Sequence, residues 1–233
     1  MKLAVIIPVY NAENTIRKAV KSIDTTHDVE IICINDGSTD RTKQVLTELQ
    51  KEVKHLIVYH QDNQGAAKSR NMGLSAMSDD IDAFMFLDAD DQFLPGKMDQ
   101  MIQYYEKNDH LDIVIGQIGR GMHGDWKVIP THEDIHREAM VSLAEAPEIL
   151  QSIGPGGKLF KAKFNTLRFD EDVVFCEEHT FVTRAYLMSR DIQLVPFIVY
   201  GYNEREGSIT DQRADTFISY LEDARKVRRE VMD

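Results

Sequence analysis

Ala83-Phe84-Met85-Phe86-Leu87-Asp88-Ala89-Asp90-Asp91 runs from consecutive apolar residues straight into a cluster of carboxylates. An apolar stretch without polar alternation predicts a strand buried on both faces, as in a parallel sheet covered by helices on either side. The acidic residues then stand at the carboxyl end of that strand, where ligands bind in open α/β sheets. Carboxylates crowded together repel one another unless a cation or a hydrogen-bonding ligand compensates them. Oxygen ligands of this kind suit Mg²⁺ or Mn²⁺. A D-x-D alone is more often a solvated acidic turn, so its surroundings decide.

Upstream, the chain repeats one pattern. Residues 2–7 form an apolar run closed by Pro8, Asn11-Ala12-Glu13-Asn14 signals a turn, and Ile16, Val20 and Ile23 recur at helical spacing. Residues 29–34 predict a second buried strand, ending in Asn35-Asp36-Gly37-Ser38-Thr39-Asp40 before a helix with Val45, Leu46 and Leu49. Residues 55–59 predict a third strand, 64–77 a third helix, and 83–87 the fourth strand. Such alternation implies an α/β fold whose mostly parallel sheet is flanked by helices. Each strand end is polar: Tyr10-Asn11, Asp36, Gln61-Asp62-Asn63 and Asp88-Ala89-Asp90-Asp91. Together they describe a crevice along one edge.

The second half is less regular. A strand is predicted over 111–118, then a mobile loop where Gly119, Gly121 and Gly124 surround Trp126. Residues 144–153 look helical, 158–164 fit either strand or helix, Glu177–Met188 reads as a helix, 193–200 as a strand and 216–231 as a closing helix. The expected division is 1–91 for a donor-binding half, 92–212 for an acceptor-binding half of the same compact unit, and 213–233 for a C-terminal helix.

The net charge of −12, from 27 basic and 39 acidic residues in 233, argues against a nucleic-acid partner. Two cysteines give no disulfide framework, and Cys33 sits in an apolar run, which suits a reducing cytoplasm. No window reaches the roughly 18 apolar residues of a membrane span. The basic run Arg225-Lys226-Val227-Arg228-Arg229 would allow peripheral contact with an anionic membrane, although one face of a solvated helix explains it as well.

Individual residues carry two readings each. Asp36 could accept a hydrogen bond from the imide N–H of uracil, or stabilise a turn. Lys68 or Arg70, on the helix after Gly65, could face a pyrophosphate or simply be solvated. Glu177-Glu178-His179 stands at a helix start, where carboxylates are favoured by the dipole. There one of the glutamates could equally remove the proton of an attacking hydroxyl. Neither a P-loop nor a dinucleotide fingerprint is present.

In order and spacing, Val5-Ile6-Ile7-Pro8-Val9-Tyr10-Asn11, Asn35-Asp36-Gly37-Ser38-Thr39-Asp40, Asn63-Gln64-Gly65 with Ser69-Arg70-Asn71-Met72-Gly73, and Phe86-Leu87-Asp88-Ala89-Asp90-Asp91 resemble family 2 glycosyltransferases of the GT-A fold. The resemblance implies a Rossmann-like sheet and an inverting, metal-dependent transfer from a nucleotide-sugar, with a UDP-sugar as the expected donor. It implies Pro8 and Tyr10 at the base, Asp36 on uracil, and Asn63, Gly65 and Arg70 near the base and diphosphate. Asp88 and Ala89 would meet the ribose or donor sugar, and Asp90 would hold Mn²⁺ or Mg²⁺. Glu178 matches the general base, one methylene longer than the family's usual aspartate, with Glu177 second, and Arg205 belongs to a segment that closes over the donor. The acceptor implied is a saccharide or polyol hydroxyl that could be lipid-linked, and the analogy points to bacterial surface polymers such as exopolysaccharide or teichoic acid. A sugar-1-phosphate nucleotidylyltransferase and a non-catalytic nucleotide-sugar-binding module are the competing expectations.

Overall fold

A computed structural model describes residues 1–122, 124–173, 175–203 and 223–229. Its first part holds β1 (Lys2–Val9), α1 (Ile16–Lys21), β2 (Asp28–Asp36), α2 (Thr42–Glu52), β3 (Leu56–Gln61), α3 (Ala66–Ala76) and β4 (Ala83–Phe86), the alternation expected. β1 pairs in parallel with both β2 and β4, and β2 with β3. The unbroken apolar runs are explained by the two cores they serve. Along β1, Leu3, Val5, Ile7 and Val9 face a cluster shared with α1 and α2, while Ala4 and Ile6 face a second cluster with Ala67 and Leu74 of α3. Each fully buried Leu, Val or Ile there contributes about 1.5–3 kcal/mol of transfer free energy.

The second part holds β5 (Gln92–Phe93), α4 (Lys97–Lys107), β6 (Ile113–Met122), β7 (Asp125–Val128), β8 (Ala139–Val141), β9 (Lys158–Lys161), α5 (Glu177–Met188) and β10 (Ile192–Asn203). The strand order is β3-β2-β1-β4-β9-β6-β10-β5, with β7 beside β6 and β8 beside β10. β9 inserts antiparallel between β4 and β6, so the sheet is parallel through the first four strands and mixed beyond them. It continues unbroken past residue 91.

Several expectations for this half change. The glycine-rich stretch is no loop: β6 runs through it and turns back as β7, with Gly124 at φ +97° in the turn. Glycine is depleted in strands, but here the Trp126 ring lies against Gly201 of β10, and that packing overrides the local preference. Residues 144–153 contain only a 3₁₀ turn, Pro147–Gln151, because Pro147 interrupts the expected helix. Residues 158–164 divide into β9 and a 3₁₀ turn, Ala162–Thr166. Of the closing helix, residues 223–229 are helical, and the remainder lies outside the described residues. Among the described residues no helix is long and apolar enough to cross a membrane.

Candidate active site

The carboxyl ends of β1, β2 and β4 open into a cleft of about 480 Å³. Pro8 from β1 and Tyr10 just after it, Asp36 from β2, Arg70 from α3 and Asp88, Ala89 and Asp90 after β4 line it. Glu177, Glu178 and His179 at the start of α5 complete the lining. Most of the site residues expected from the sequence therefore meet in one space. Asn63 is not part of the lining, and Gly65 contributes through its backbone N–H to Asp36. Arg205 lies outside the described residues.

Asp36 is buried and heavily engaged. Its Oδ1 accepts from Gln61 Nε2 at 2.7 Å and the Gln64 N–H at 2.8 Å, and its Oδ2 accepts from the Gly65 N–H at 2.8 Å. A carboxylate offers about four acceptor positions, so one on Oδ2 remains. Asp36 thus anchors the turn into α3 while lining the cleft, and the two readings of this residue are compatible. Asp40 is structural: it accepts from the Thr42 and Glu13 N–H groups.

Arg70 is the centre of the charge arrangement. Its Nη2 donates to Asp88 at 3.0 Å and its Nη1 to Glu177 at 2.9 Å, while the guanidinium lies 5.4 Å from the centre of the Phe169 ring. One side chain therefore ties the loop after β4 to the start of α5. Asn71, next to it, fixes the platform: it donates to the Phe169 carbonyl and accepts from the Phe169 N–H. Phe169 in turn stacks on Phe181 of α5 at 4.4 Å. Neither Asn71 nor Phe169 stood out in the sequence as a site residue, because their partner is a hundred residues away. Arg70 Nε is buried with no hydrogen-bond partner.

Removing Arg70 would leave Glu177, 12% exposed, without its counter-charge, whereas Asp88, 42% exposed, can rehydrate. Breaking a buried pair from one side costs about 3–5 kcal/mol, and the half-exposed partner puts this case near the lower figure. Arg70→Met is expected to lower the thermal midpoint by on the order of 10 °C. A midpoint unchanged within 2 °C, by differential scanning calorimetry, would show that this pair contributes no stability.

The carboxylates differ in environment. Burial, reinforced by the neighbouring Glu178 charge and opposed by Arg70, pushes Glu177 up to about 7. Burial and the charges of Asp88 and Asp90 push Asp91 up to about 8. Asp91 turns both oxygens to the protein, accepting from Tyr200 Oη at 2.8 Å and the Asn203 N–H at 2.9 Å. Burial lowers His179. Among the described residues, no three His, Cys, Asp or Glu side chains converge as a closed metal cage.

A family model described as glycosyl transferase family 2 matches residues 4–175. The chain belongs to that family. A protein named as the glycosyltransferase TagX, from Staphylococcus aureus, is 36% identical over 237 residues, covering all of this chain and 67% of that protein. The glycosyltransferase GlyA of Streptococcus pneumoniae is 31% identical over 245 residues, covering 97% of this chain and 34% of GlyA. Among solved structures, S. aureus TarS 1–349 in complex with UDP-GlcNAc superposes with a TM-score of 0.83 at 22% identity, over all of this chain and 67% of that one. This last likeness establishes the GT-A-type fold expected from the sequence. The chain spans about two thirds of the length of TagX and of that TarS structure.

Proposed function

We propose that the cleft binds a UDP-sugar and moves its sugar, with inversion, onto an acceptor hydroxyl of a cell-surface polymer. The observation carrying this reading is that Asp88 and Asp90, after β4, and Glu177 and Glu178, at the start of α5, line one cleft, with Arg70 bridging Asp88 and Glu177. TarS, of the same fold, has been crystallised with UDP and with UDP-GlcNAc, which supports a uridine nucleotide here. The acceptor, its linkage and a cytoplasmic place for the reaction belong to the same proposal.

The lining fits a divalent cation. It is rich in carboxylates, and among the described residues its one permanent cation, Arg70, is already shared between Asp88 and Glu177. Mg²⁺ and Mn²⁺ take one or two carboxylates together with phosphate oxygens and water, which needs no closed protein cage. Asp90 would hold the ion, which when bound stabilises charge on the departing diphosphate. Asp36, through its remaining acceptor position, would receive the uracil N–H, and Pro8 and Tyr10 would flank the base. Glu178 would take the proton of the attacking hydroxyl. It is preferred to Glu177 because the ion pairs of Arg70 run to Asp88 and Glu177. Membership of family 2 favours sugar transfer over nucleotidyl transfer.

Thermal shift against UDP, UDP-GlcNAc, UDP-glucose and UDP-galactose, with and without Mn²⁺, tests the reading. A ligand at 100 times its Kd stabilises the folded state by about 2.7 kcal/mol. UDP with Mn²⁺ is expected to raise the midpoint more than UDP alone. No shift with any uridine nucleotide, and no UDP release from the sugars, would refute it.

A further inference from the structure

The loop after β4 is held from a distant part of the chain. Tyr200, near the end of β10, is buried, yet its hydroxyl bonds to the loop that lines the site. The Asp88 N–H donates to Tyr200 Oη at 3.1 Å, and that hydroxyl donates to Asp91 Oδ2 at 2.8 Å. Three residues on, the Asn203 N–H donates to Asp91 Oδ1 at 2.9 Å, and Asn203 Nδ2 donates to the Asp90 carbonyl at 2.7 Å. Inside the loop, the Asp91 N–H donates to the Asp88 carbonyl at 3.1 Å. Residues 88, 90 and 91 are therefore each bonded to β10, while the side chains of Asp88 and Asp90 are left lining the cleft.

The phenol is itself fixed. A hydroxyl has one proton to donate, and here it goes to Asp91, so its lone pairs are oriented toward the Asp88 amide. The Tyr200 ring meets Phe93 edge-on at 6.0 Å. On another side stands Gly156, where an added Cβ would come within 3.1 Å of the ring, a tight approach. β10 also pairs antiparallel with β5, Tyr200 opposite Phe93, which closes the chain directly after the loop. Ring, hydroxyl and backbone register all specify one position for the loop.

We propose that Tyr200, seconded by Asn203, is a positioning residue for sugar transfer, setting the placement of the Asp88 and Asp90 carboxylates by bonding the loop that carries them. Neither residue touches the donor in this role. The inference rests on the reading of that loop as the donor-diphosphate site. Sites held loosely lose rate steeply, because small displacements of reacting groups are costly.

The test compares Tyr200→Phe, Tyr200→Leu, Asn203→Ala and Asp90→Ala with the wild type in UDP release from whichever of the three UDP-sugars it hydrolyses fastest, with Mn²⁺ and with water as acceptor. Tyr200→Phe keeps the ring and its packing. It is expected to lower kcat at least tenfold, as far as Tyr200→Leu does, with a thermal midpoint only a few degrees below the wild type, because the buried Asp91 carboxylate and the Asp88 N–H lose a partner. Asn203→Ala removes the bond to the Asp90 carbonyl without opening the core and is expected to lower kcat several-fold. Should Tyr200→Phe and Asn203→Ala both turn over within twofold of wild type while Asp90→Ala is inactive, the positioning role is overturned and the donor-loop reading stands. Wild-type rates in Asp90→Ala would remove that reading, and the positioning role with it.

Discussion

Asp90→Ala is expected to reduce cation-dependent turnover by about a hundredfold to a thousandfold. Its carboxylate lines the cleft, while its carbonyl is held by Asn203 Nδ2, so the substitution removes the charged group and keeps that backbone bond. A bound cation supplies several kcal/mol of transition-state charge stabilisation, and each 1.36 kcal/mol is a factor of ten in rate. Losing about 3–4 kcal/mol of this gives the stated range. The same change should remove the gain in UDP affinity that Mn²⁺ confers, read by isothermal titration with and without the ion. Affinity in the absence of the ion should barely move, because Pro8, Tyr10 and Asp36 stand on or just after other strands. Fold is the control, and a midpoint near the wild type makes the kinetic loss interpretable. If Mn²⁺ tightens UDP equally in both proteins, Asp90 is not its ligand.

How much of this was legible beforehand follows the physics of each element. The first four strands declare themselves because each is buried on both faces, so no alternation blurs the signal. β1 shows it, its neighbours dividing between two cores. The crevice follows from topology, since parallel strands bring their carboxyl ends to one edge. α4 shows a helical pattern of its own, with Met98, Met101, Ile102 and Tyr105 recurring at helical spacing and buried. The β6–β7 hairpin was misread because its glycines have no local preference for a strand, and what makes them one is the Trp126 ring against Gly201, about 75 residues away in sequence. The supports of the site were invisible for the same reason. Asn71 finds Phe169, Arg70 finds Glu177 and Asp88 finds Tyr200 only in the folded chain. Sequence patterns report which side chains are buried or polar at a strand end, whereas the partners holding them are set by tertiary packing.

Glu178→Gln is expected to abolish transfer while leaving donor binding within twofold of wild type. Glutamine preserves the length and hydrogen-bonding shape of the side chain and removes its basicity, so the proposed general base is lost and little else. Such a base contributes about 10²–10⁴ in rate. Glu177→Gln is the informative companion. Burial pushes Glu177 up to about 7, a value suited to proton transfer at neutral pH. Its Oε1, however, accepts from Arg70 Nη1 at 2.9 Å, and Arg70 also holds Asp88. Protonating Glu177 would weaken that ion pair, so its natural service is to keep Arg70, and through it the donor loop, in place. Glu177→Gln should accordingly lower the thermal midpoint and weaken UDP binding along with the rate. Measured side by side as UDP release and UDP affinity, the two variants separate the roles. Loss of rate alone in Glu177→Gln, with near-normal turnover in Glu178→Gln, would transfer the base to Glu177, since a residue needed only to orient Arg70 cannot lose turnover without also disturbing the donor.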